Sequence, residues 1–429
     1  MDSMQYKERA LLVWENNSER EKAMGIKKIV KTAFSCERDG LTIRGTQYRP
    51  AGGNNLPIAI VSHGFMANGQ SVAHYAKRLA KWGFAAFCFD FSGGCIKGKS
   101  DGKTTDMSVL TEKEDLKAVI AYAQSLDYTQ GNPSRFSSGQ MDSECSSGHV
   151  QKARLVLVGC SQGGFVSALT AAELQDQVSG LILFYPALCI PDDAREGHMI
   201  FARFDPQNIP EVVPCGPMKL GKIYPQAVME MDPFAEIAAY KGPVLLVHGT
   251  ADKIVDATYA RRAHEAYGER RCTLQMIEGG THGFKKGADN AAMFGMKQFL
   301  QGKREVLTVD VRVTGRRMLE RGWNNTISLP FEGTCDGPYF KGTILPGAVD
   351  VQHRNGLKVV EFTADYQLAG KDYTGADCKV HVVNRFDGKR WVPKVTTDST
   401  ALAFLNHTRC EAFLEQRKHG PVVRIYARI

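Results

Sequence analysis

Six short apolar runs between Pro57 and Gly279 constrain the fold of this chain most strongly. They read "PIAIVSH", "FAAFCFDF", "RLVLVGC", "GLILFYP", "PVLLVHG" and "TLQMIEG", and stretches with helical periodicity such as "SVAHYAKRLAKWG" lie between them. Continuous apolar strands that alternate with helices are typical of a mostly parallel sheet covered on both faces. We therefore predict an α/β fold for residues 32–302, with a β-hairpin turned at Asp39-Gly40 near its start.

The hydrophobic pattern changes after about residue 303. In "VVEFTADYQL", apolar residues occupy every second position from Val360 to Leu368, as in a strand with one buried face. The dipeptides Asn355-Gly356 and Asp387-Gly388 are hairpin turn signals. We predict that residues 303–429 form an all-β, barrel-like domain.

Three further segments interrupt or extend this pattern. Residues 1–31 read as a helical N-terminal extension with charged amphipathic helices. Residues 187–231 are rich in Pro, Met and aromatic side chains and lie between two predicted strands, which predicts an inserted lid. The Ser- and Gly-rich stretch between residues 130 and 150 is expected to be a surface loop.

The strand "RLVLVGC" runs into "GCSQGG", a G-x-S-x-G motif centred on Ser161. This motif between a strand and a helix is the nucleophile elbow, in which a tight turn holds the serine hydroxyl above the sheet. Gly159 and Gly163 are expected where side chains would collide with the neighbouring strand and helix. Cys160 is the competing nucleophile, but a motif centred on it would need glycines where Val158 and Gln162 stand. We therefore predict Ser161 as the nucleophile.

A serine hydroxyl needs a base, and the base needs an orienting carboxylate. In this architecture the chain order is Ser, then Asp or Glu, then His, each at the end of a strand. Asp252 follows the strand "PVLLVHG", and His282 follows "TLQMIEG". We predict that Ser161 attacks, His282 moves the proton and Asp252 orients the imidazole, with Asp256 as the alternative acid.

Backbone amides are expected to hold the oxyanion of the intermediate. The N–H of Gln162, directly after the nucleophile, is one predicted donor. The loop "HGF" after the first buried strand supplies the other, for which we predict the N–H of Phe65. His63 and His248 each precede a glycine at a strand end, and we interpret both as structural or site-lining.

Composition excludes several other classes. The net charge is +8, but Lys and Arg are scattered without a basic block, so no nucleic-acid partner is expected. The 11 cysteines include no C-x-x-C pair, which indicates reduced thiols and no predicted metal site. No apolar run approaches the ~18 residues of a membrane span, and no secretory core opens the chain. We expect a cytoplasmic protein with no cofactor and no membrane partner, for which a homo-oligomer is compatible with the sequence.

With these residues placed, the stretch from about residue 34 to 302 resembles the α/β-hydrolase superfamily, and within it the bacterial cinnamoyl (feruloyl) esterases. The resemblance rests on "HGF", "GCSQGG", "HGTADKIV" and "EGGTHGF", and in the lid on "DAREG", "FDPQNIPEVVP" and "LGKIY". It implies that Asp193 and Tyr224 hold the phenolic ring of the substrate, although Asp193 could instead cap a helix. The loop "FSGGCIKGKSDG", the polar loop at 130–150 and the N-terminal extension depart from the family pattern.

The region from Glu305 to Ile429, with "FEGTCDGPYFKGTILPGAVDVQ", resembles an uncharacterised family of small bacterial β-barrel domains. That resemblance implies a barrel with an internal pocket, which could serve as a binding accessory or an oligomerisation module, and less readily as a second active site. For the whole chain we predict a serine carboxylic ester hydrolase that acts through an acyl-enzyme on hydroxycinnamoyl or related aryl esters. The alternatives are a serine peptidase or broad acylesterase with the same triad, or a non-catalytic ligand receptor.

Overall fold

The computed structural model of the chain describes residues 28–52, 56–126, 154–269, 271–285, 287–356, 358–386, 391–417 and 420–428. The chain divides into two compact units, of which one spans Ile26–Ala288 and the other contains Asp289–Ile429. Most of the predicted N-terminal extension, and the polar loop at 130–150, lie outside the described residues. Residues 29–31, which we assigned to that extension, lie in the first strand.

The first unit is built on one eight-stranded sheet. Its strands are β1 (Ile29–Arg38), β2 (Leu41–Pro50), β3 (Ile58–Ser62), β4 (Ala85–Phe89), β5 (Leu155–Cys160), β6 (Val178–Phe184), β11 (Val244–Gly249) and β12 (Cys272–Ile277). They lie in the order β1-β2-β4-β3-β5-β6-β11-β12. Strands β1 and β2 form the predicted hairpin at Asp39-Gly40, and β2 pairs antiparallel with β4. All neighbouring strands from β4 to β12 in this order are parallel.

Helices connect these strands and complete the layers. They are α1 (Gly69–Lys81), α2 (Val109–Ser125), α3 (Gln162–Glu173), α6 (Pro233–Ile237) and α7 (Ala257–Tyr267). The side chain of Asn68 caps α1, and Ser108 forms a capping box with Thr111 at the start of α2, so both helices begin where the sequence provides a cap. Strands β3, β4 and β5 are buried along their whole length, as their continuous apolar sequences predict.

The predicted lid region forms an insert between β6 and α6. It contains α4 (Ile190–Arg195), the short strands β7 (His198–Met199), β8 (Ala202–Arg203), β9 (Val212–Cys215) and β10 (Met218–Gly221), and α5 (Ile223–Gln226). The strands form two antiparallel hairpins. Val213, Leu220 and Tyr224 are buried in the main core of the unit, whereas Phe201 is 65% exposed. The insert is therefore anchored by one apolar face.

The second unit is a closed antiparallel barrel, and most of the helix α8 (Gly287–Leu300) belongs to it. Its strands are β13 (Lys303–Val313), β14 (Arg317–Glu320), β15 (Asn324–Asp336), β16 (Phe340–Ile344), β17 (Val349–Asn355), β18 (Lys358–Asp372), β19 (Asp377–Phe386), β20 (Trp391–Thr397), β21 (Glu411–Arg417) and β22 (Gly420–Arg428). Strand β13 pairs with both β22 and β15, which closes the ring. This confirms the predicted all-β barrel architecture.

The strand predicted from "VVEFTADYQL" is part of β18, with one local difference. Phe362, Tyr366 and Leu368 face the barrel interior as the alternation predicts. Val360, however, is 48% exposed. The pairing of β17 with β18 passes from His353–Glu361 to Arg354–Val359, so Val360 is the extra residue of a bulge and leaves the alternation. The predicted turn at Asp387-Gly388 lies outside the described residues.

Candidate active site

Ser161 occupies the sharp turn between β5 and α3. Its backbone has φ 54° and ψ −122°, a conformation that residues other than glycine adopt rarely. A Cβ on Gly159 would collide with the backbone of Gly163, and a Cβ on Gly163 would collide with the carbonyl of His63. The glycines of "GCSQGG" therefore allow the close approach that the sequence predicts, with Ser161 at the carboxyl end of β5.

The structure brings the three predicted triad side chains together. His282 Nε2 lies 2.9 Å from Ser161 Oγ, and His282 Nδ1 lies 2.7 Å from Asp252 Oδ2. A carboxylate can only accept, so Nδ1 carries the hydrogen and Nε2 is left to accept from the serine hydroxyl. This is the arrangement in which an imidazole can take the proton of an attacking hydroxyl.

Asp252 is held in one position and kept ionised. Its side chain is fully buried, and Oδ1 accepts hydrogen bonds from the backbone N–H groups of Ile254 and Val255. Burial opposes the charge, but the hydrogen bonds from His282 and the two amides outweigh it and lower the pKa of Asp252. Asp256, the alternative acid, instead caps α7 by accepting from Thr258 N–H.

The two other histidines have structural partners. His63 Nε2 accepts from the N–H of Phe91, so its Nδ1 donates to the carbonyl of Gly64 at 2.8 Å. His248 Nε2 lies 3.0 Å from the carbonyl of Val255. Burial lowers the pKa of both imidazoles, which keeps them neutral. His63 thus fixes the loop that follows β3, and His248 fixes the loop that carries Asp252.

The loop after β3 lies directly against the nucleophile. A Cβ built on Gly64 would be 2.9 Å from the Cβ of Ser161. The predicted oxyanion donors, the N–H groups of Phe65 and Gln162, belong to this loop and to the first residue of α3. Within the described residues neither amide donates to another backbone group. Both are thus available to a ligand at Ser161, as the predicted role requires.

The side chain of Gln162 belongs to a buried network that the sequence analysis did not predict. Its Nε2 donates to Glu112 Oε2 at 2.8 Å, and its Oε1 accepts from the hydroxyl of Tyr224. Burial raises the pKa of Glu112 well above its usual range, and burial likewise raises the pKa of Tyr224. In this structure the Tyr224 hydroxyl therefore points to Gln162, whereas the family resemblance implied a contact with the substrate ring.

Asp193, the other predicted substrate-binding residue, lies on α4. Its carboxylate is 3.5 Å from His198 Nε2, and burial raises its pKa. The start of α4 has no side-chain cap, so the alternative capping role does not apply to it. No hydrogen bond within the described residues joins Asp193 to the triad or to Tyr224.

Tyr185 is a site residue that the sequence analysis missed. It directly follows β6, has φ 40°, and its ring centroid lies 4.7 Å from that of His282. The ring of Phe284 packs edge-on against it at 4.8 Å. Its position just past a buried strand, in "LFYP", is the signal that could have identified it. The two rings form an aromatic wall beside the imidazole.

Other features of the described residues bear on alternative chemistries. The ten described cysteines are free, and burial raises the pKa of several of them, including Cys189. No group of three or more His, Cys, Asp or Glu side chains in the described part of the chain could hold a metal ion. Of the helices that the structure describes, none combines the length and apolarity needed to cross a membrane.

Comparisons with known proteins agree with this architecture. Residues 54–232 match the family model described as "Serine aminopeptidase, S33". A structure of ferulic acid bound to Est1E from Butyrivibrio proteoclasticus is 26% identical, with a TM-score of 0.53, and the match covers 62% of this chain and 98% of that one. Another structure of Est1E is 24% identical, with a TM-score of 0.51, over 63% of this chain and 98% of that one. No curated protein matches the chain. The first unit has the α/β-hydrolase fold, followed by the closed barrel.

Proposed function

We propose that this chain is a serine hydrolase that cleaves carboxylic esters through an acyl-enzyme. The continuous hydrogen-bonded series from Asp252 through His282 to Ser161 carries this proposal. Such a series activates a hydroxyl that is otherwise a poor nucleophile. The available amides beside Ser161 supply the second requirement, which is a place for negative charge on the carbonyl oxygen.

The reaction follows from this geometry in two halves. Ser161 Oγ attacks the ester carbonyl carbon while His282 Nε2 takes the hydroxyl proton, and Asp252 stabilises the imidazolium. The amides of Phe65 and Gln162 donate to the oxyanion. As the carbon–oxygen bond breaks, Nε2 gives its proton to the leaving alcohol, and the acyl group remains on Ser161. A water molecule then attacks the acyl carbon with the same base, which releases the acid and restores the hydroxyl.

For the acyl group we propose a hydroxycinnamoyl or related aryl acid. The similarity to Est1E, whose structure was solved with ferulic acid, supports this substrate class. The aromatic side chains near the triad support it independently: Tyr185 and Phe284 stand on one side, and Phe65 packs against Tyr224 with ring centroids 5.6 Å apart. Planar aromatic acyl groups pack favourably against such rings.

A substrate panel tests the proposal. The purified chain should hydrolyse methyl ferulate and methyl butyrate, which share one leaving group, with the higher kcat/KM for the aromatic acyl group. Ser161→Ala should lose at least ~10³-fold in kcat. Ser125→Ala is the matched control, because the hydroxyl of Ser125 donates to the carbonyl of Tyr122 at the end of α2, and this variant should retain full activity. Faster turnover of the aliphatic ester would contradict the proposed aryl preference but would not affect the assignment of the catalytic triad.

A serine aminopeptidase is the second candidate, because the family model that matches residues 54–232 carries that description. The same triad could attack an amide carbonyl. Aminoacyl arylamides in the panel separate the two activities. Turnover of these amides with a kcat/KM above that of methyl ferulate would favour the peptidase, and we expect the opposite order.

A further inference from the structure

One half of the barrel interior is polar, in contrast to the rest of its core. Strands β18 and β19 send Tyr366, Leu368, Val380 and Val382 inward, and Ala348 precedes β17 in the same core. By the two-residue periodicity of strands, Asp350, Asn384 and Ala364 face inward too. We call the region around Asp350, Gln352, Ala364, Asn384 and Trp391 the polar half of the barrel.

The strand register places these side chains in one row. Asp350 pairs with Ala364, and Ala364 pairs with Asn384 on the following strand. Adjacent strands are about 4.8 Å apart, so Asp350 and Asn384 stand about 10 Å apart across the small side chain of Ala364. Ala364 and Leu329, which also pairs with Asp350, keep part of their surface accessible although they face inward. The row therefore carries no side chain larger than a methyl group between Asp350 and Asn384.

Polar atoms in this region lack partners. Asp350 Oδ1, Asn384 Oδ1 and the hydroxyl of Tyr366 are buried and make no hydrogen bond to the described residues. Asn384 is 2%, Tyr366 3% and Asp350 6% exposed. Most buried polar groups in proteins are paired, so three such atoms on neighbouring strands indicate a site built to receive hydrogen-bonding groups. The interior of a small β-barrel is either filled by side chains or holds one small ligand.

Aromatic rings supply the apolar walls. Phe362 packs edge-on against Trp391 at 4.5 Å, and Phe386 lies 5.1 Å from the same indole. Phe331 packs against Tyr366 at 5.4 Å. The opposite half of the barrel is filled by apolar side chains, among them Leu402, which directly precedes the short helix Ala403–Asn406, and Leu405 within that helix. Among the described residues of the barrel, the polar half combines aromatic walls with buried polar atoms that lack partners.

The electrostatics of the polar half favour an uncharged ligand. Burial raises the pKa of Asp350 to about 8, although Gln352 and Arg354 act in the other direction. The carboxyl is therefore largely neutral at pH 7 and can donate or accept. A charged ligand would lose its hydration on entering this buried region, a cost in free energy that an uncharged ligand avoids.

We propose that the polar half of the barrel binds a small neutral aromatic molecule that carries a hydroxyl group. The ring packs against Phe362 and Trp391, and the hydroxyl donates to the unsatisfied oxygen of Asn384. This site lies wholly within the barrel unit and uses none of the residues assigned to ester hydrolysis.

Calorimetric titration of the full chain with 2-naphthol, a neutral hydroxylated probe, tests the proposal, and naphthalene is the analogue without the hydroxyl. We expect a Kd at or below about 100 µM for 2-naphthol, and binding of naphthalene at least about tenfold weaker. Ala364→Phe fills the space between Asp350 and Asn384 and should weaken 2-naphthol binding at least tenfold. Thr363→Phe, on the outer face of the same strand, is the matched control and should change the Kd less than about twofold.

Three results would overturn the proposal: no saturable binding of 2-naphthol up to about 1 mM, equal affinity for naphthalene, or unchanged binding by Ala364→Phe. The last of these would place the bound probe elsewhere, including in the hydrolase unit. If Ala364→Phe fails to fold, Asn384→Leu takes its place. That variant should abolish the preference for 2-naphthol over naphthalene, and a retained preference would contradict the proposal.

Discussion

The hydroxyl of Tyr224, on the inserted segment, donates a hydrogen bond to the side chain of Gln162, the residue directly after Ser161. Gln162 in turn donates to Glu112, which is fully buried on α2. The side chain that follows the nucleophile is thereby held from two sides, by the insert and by a helix. The network thus fixes the first residue of α3, whose amide is the proposed oxyanion donor.

We predict that breaking this network lowers kcat with little change in KM. Tyr224→Phe leaves the Gln162 oxygen without its donor, and Glu112→Ala removes the acceptor. Each of these two substitutions should lower the free energy of unfolding by about 1–3 kcal/mol. Because Gln162 then loses a partner that holds it, kcat should fall by about tenfold or more. Glu112→Gln is the control, because burial raises the pKa of Glu112 and the neutral amide resembles the protonated acid. A large rise in KM for aryl esters, with kcat unchanged, would instead assign Tyr224 to substrate binding.

The carboxylate of Asp252, beside His282, should be essential for catalysis, whereas the carboxylate of Asp256 should not. Asp252→Asn keeps the size of the side chain but cannot orient the imidazole in the same way, so kcat should fall by about 10³–10⁴-fold. Asp256→Asn, at the cap of α7, should keep near-normal kcat and lose at most about 1–2 kcal/mol of stability. Steady-state kinetics of both variants on one ester make this comparison. Equal losses would mean that the acid has been assigned wrongly.

The buried neutral imidazole of His63 should make stability depend on pH. Burial lowers its pKa below the unfolded value of about 6.5, so the unfolded chain binds more protons in this range. The free energy of unfolding should therefore decrease as pH falls below about 6.5, and this contribution should be fully present above it. Thermal inactivation midpoints of the wild type and His63→Asn between about pH 5 and 7.5 measure the effect. An identical pH slope in the two proteins would contradict this account.

The elbow glycines should tolerate no side chain. A Cβ on Gly163 would collide with backbone atoms of His63 and Ser62, so Gly163→Ala must displace the loop that carries Phe65. We expect a loss of ~3 kcal/mol of stability and of nearly all activity. A Cβ on Gly287 would meet no atom within 4 Å, which makes Gly287→Ala the matched control with unchanged turnover. Near-normal activity of Gly163→Ala would show that the loop has more freedom than this packing allows.

The positions of Ser161, Asp252 and His282 could be predicted from the sequence because each follows a strand whose apolar run is unmistakable. In a parallel sheet the carboxyl ends of the strands meet at one edge, so order along the chain translates directly into proximity. The partners of Gln162 could not be predicted in the same way. Glu112 lies on a helix and Tyr224 in the insert, and no periodicity specifies where an insert folds back. The exposed Val360 was missed because a bulge leaves no mark in the alternation itself.

The most direct measurement is the identification of the acylated residue. The enzyme is mixed with p-nitrophenyl butyrate, quenched with acid during the pre-steady-state burst, digested and analysed by mass spectrometry. We predict a butyryl group on Ser161 and on no other residue of "GCSQGG", with neither adduct nor burst in Ser161→Ala. A butyryl group on Cys160, or undiminished turnover by Ser161→Ala, would contradict the assignment of Ser161 as the nucleophile.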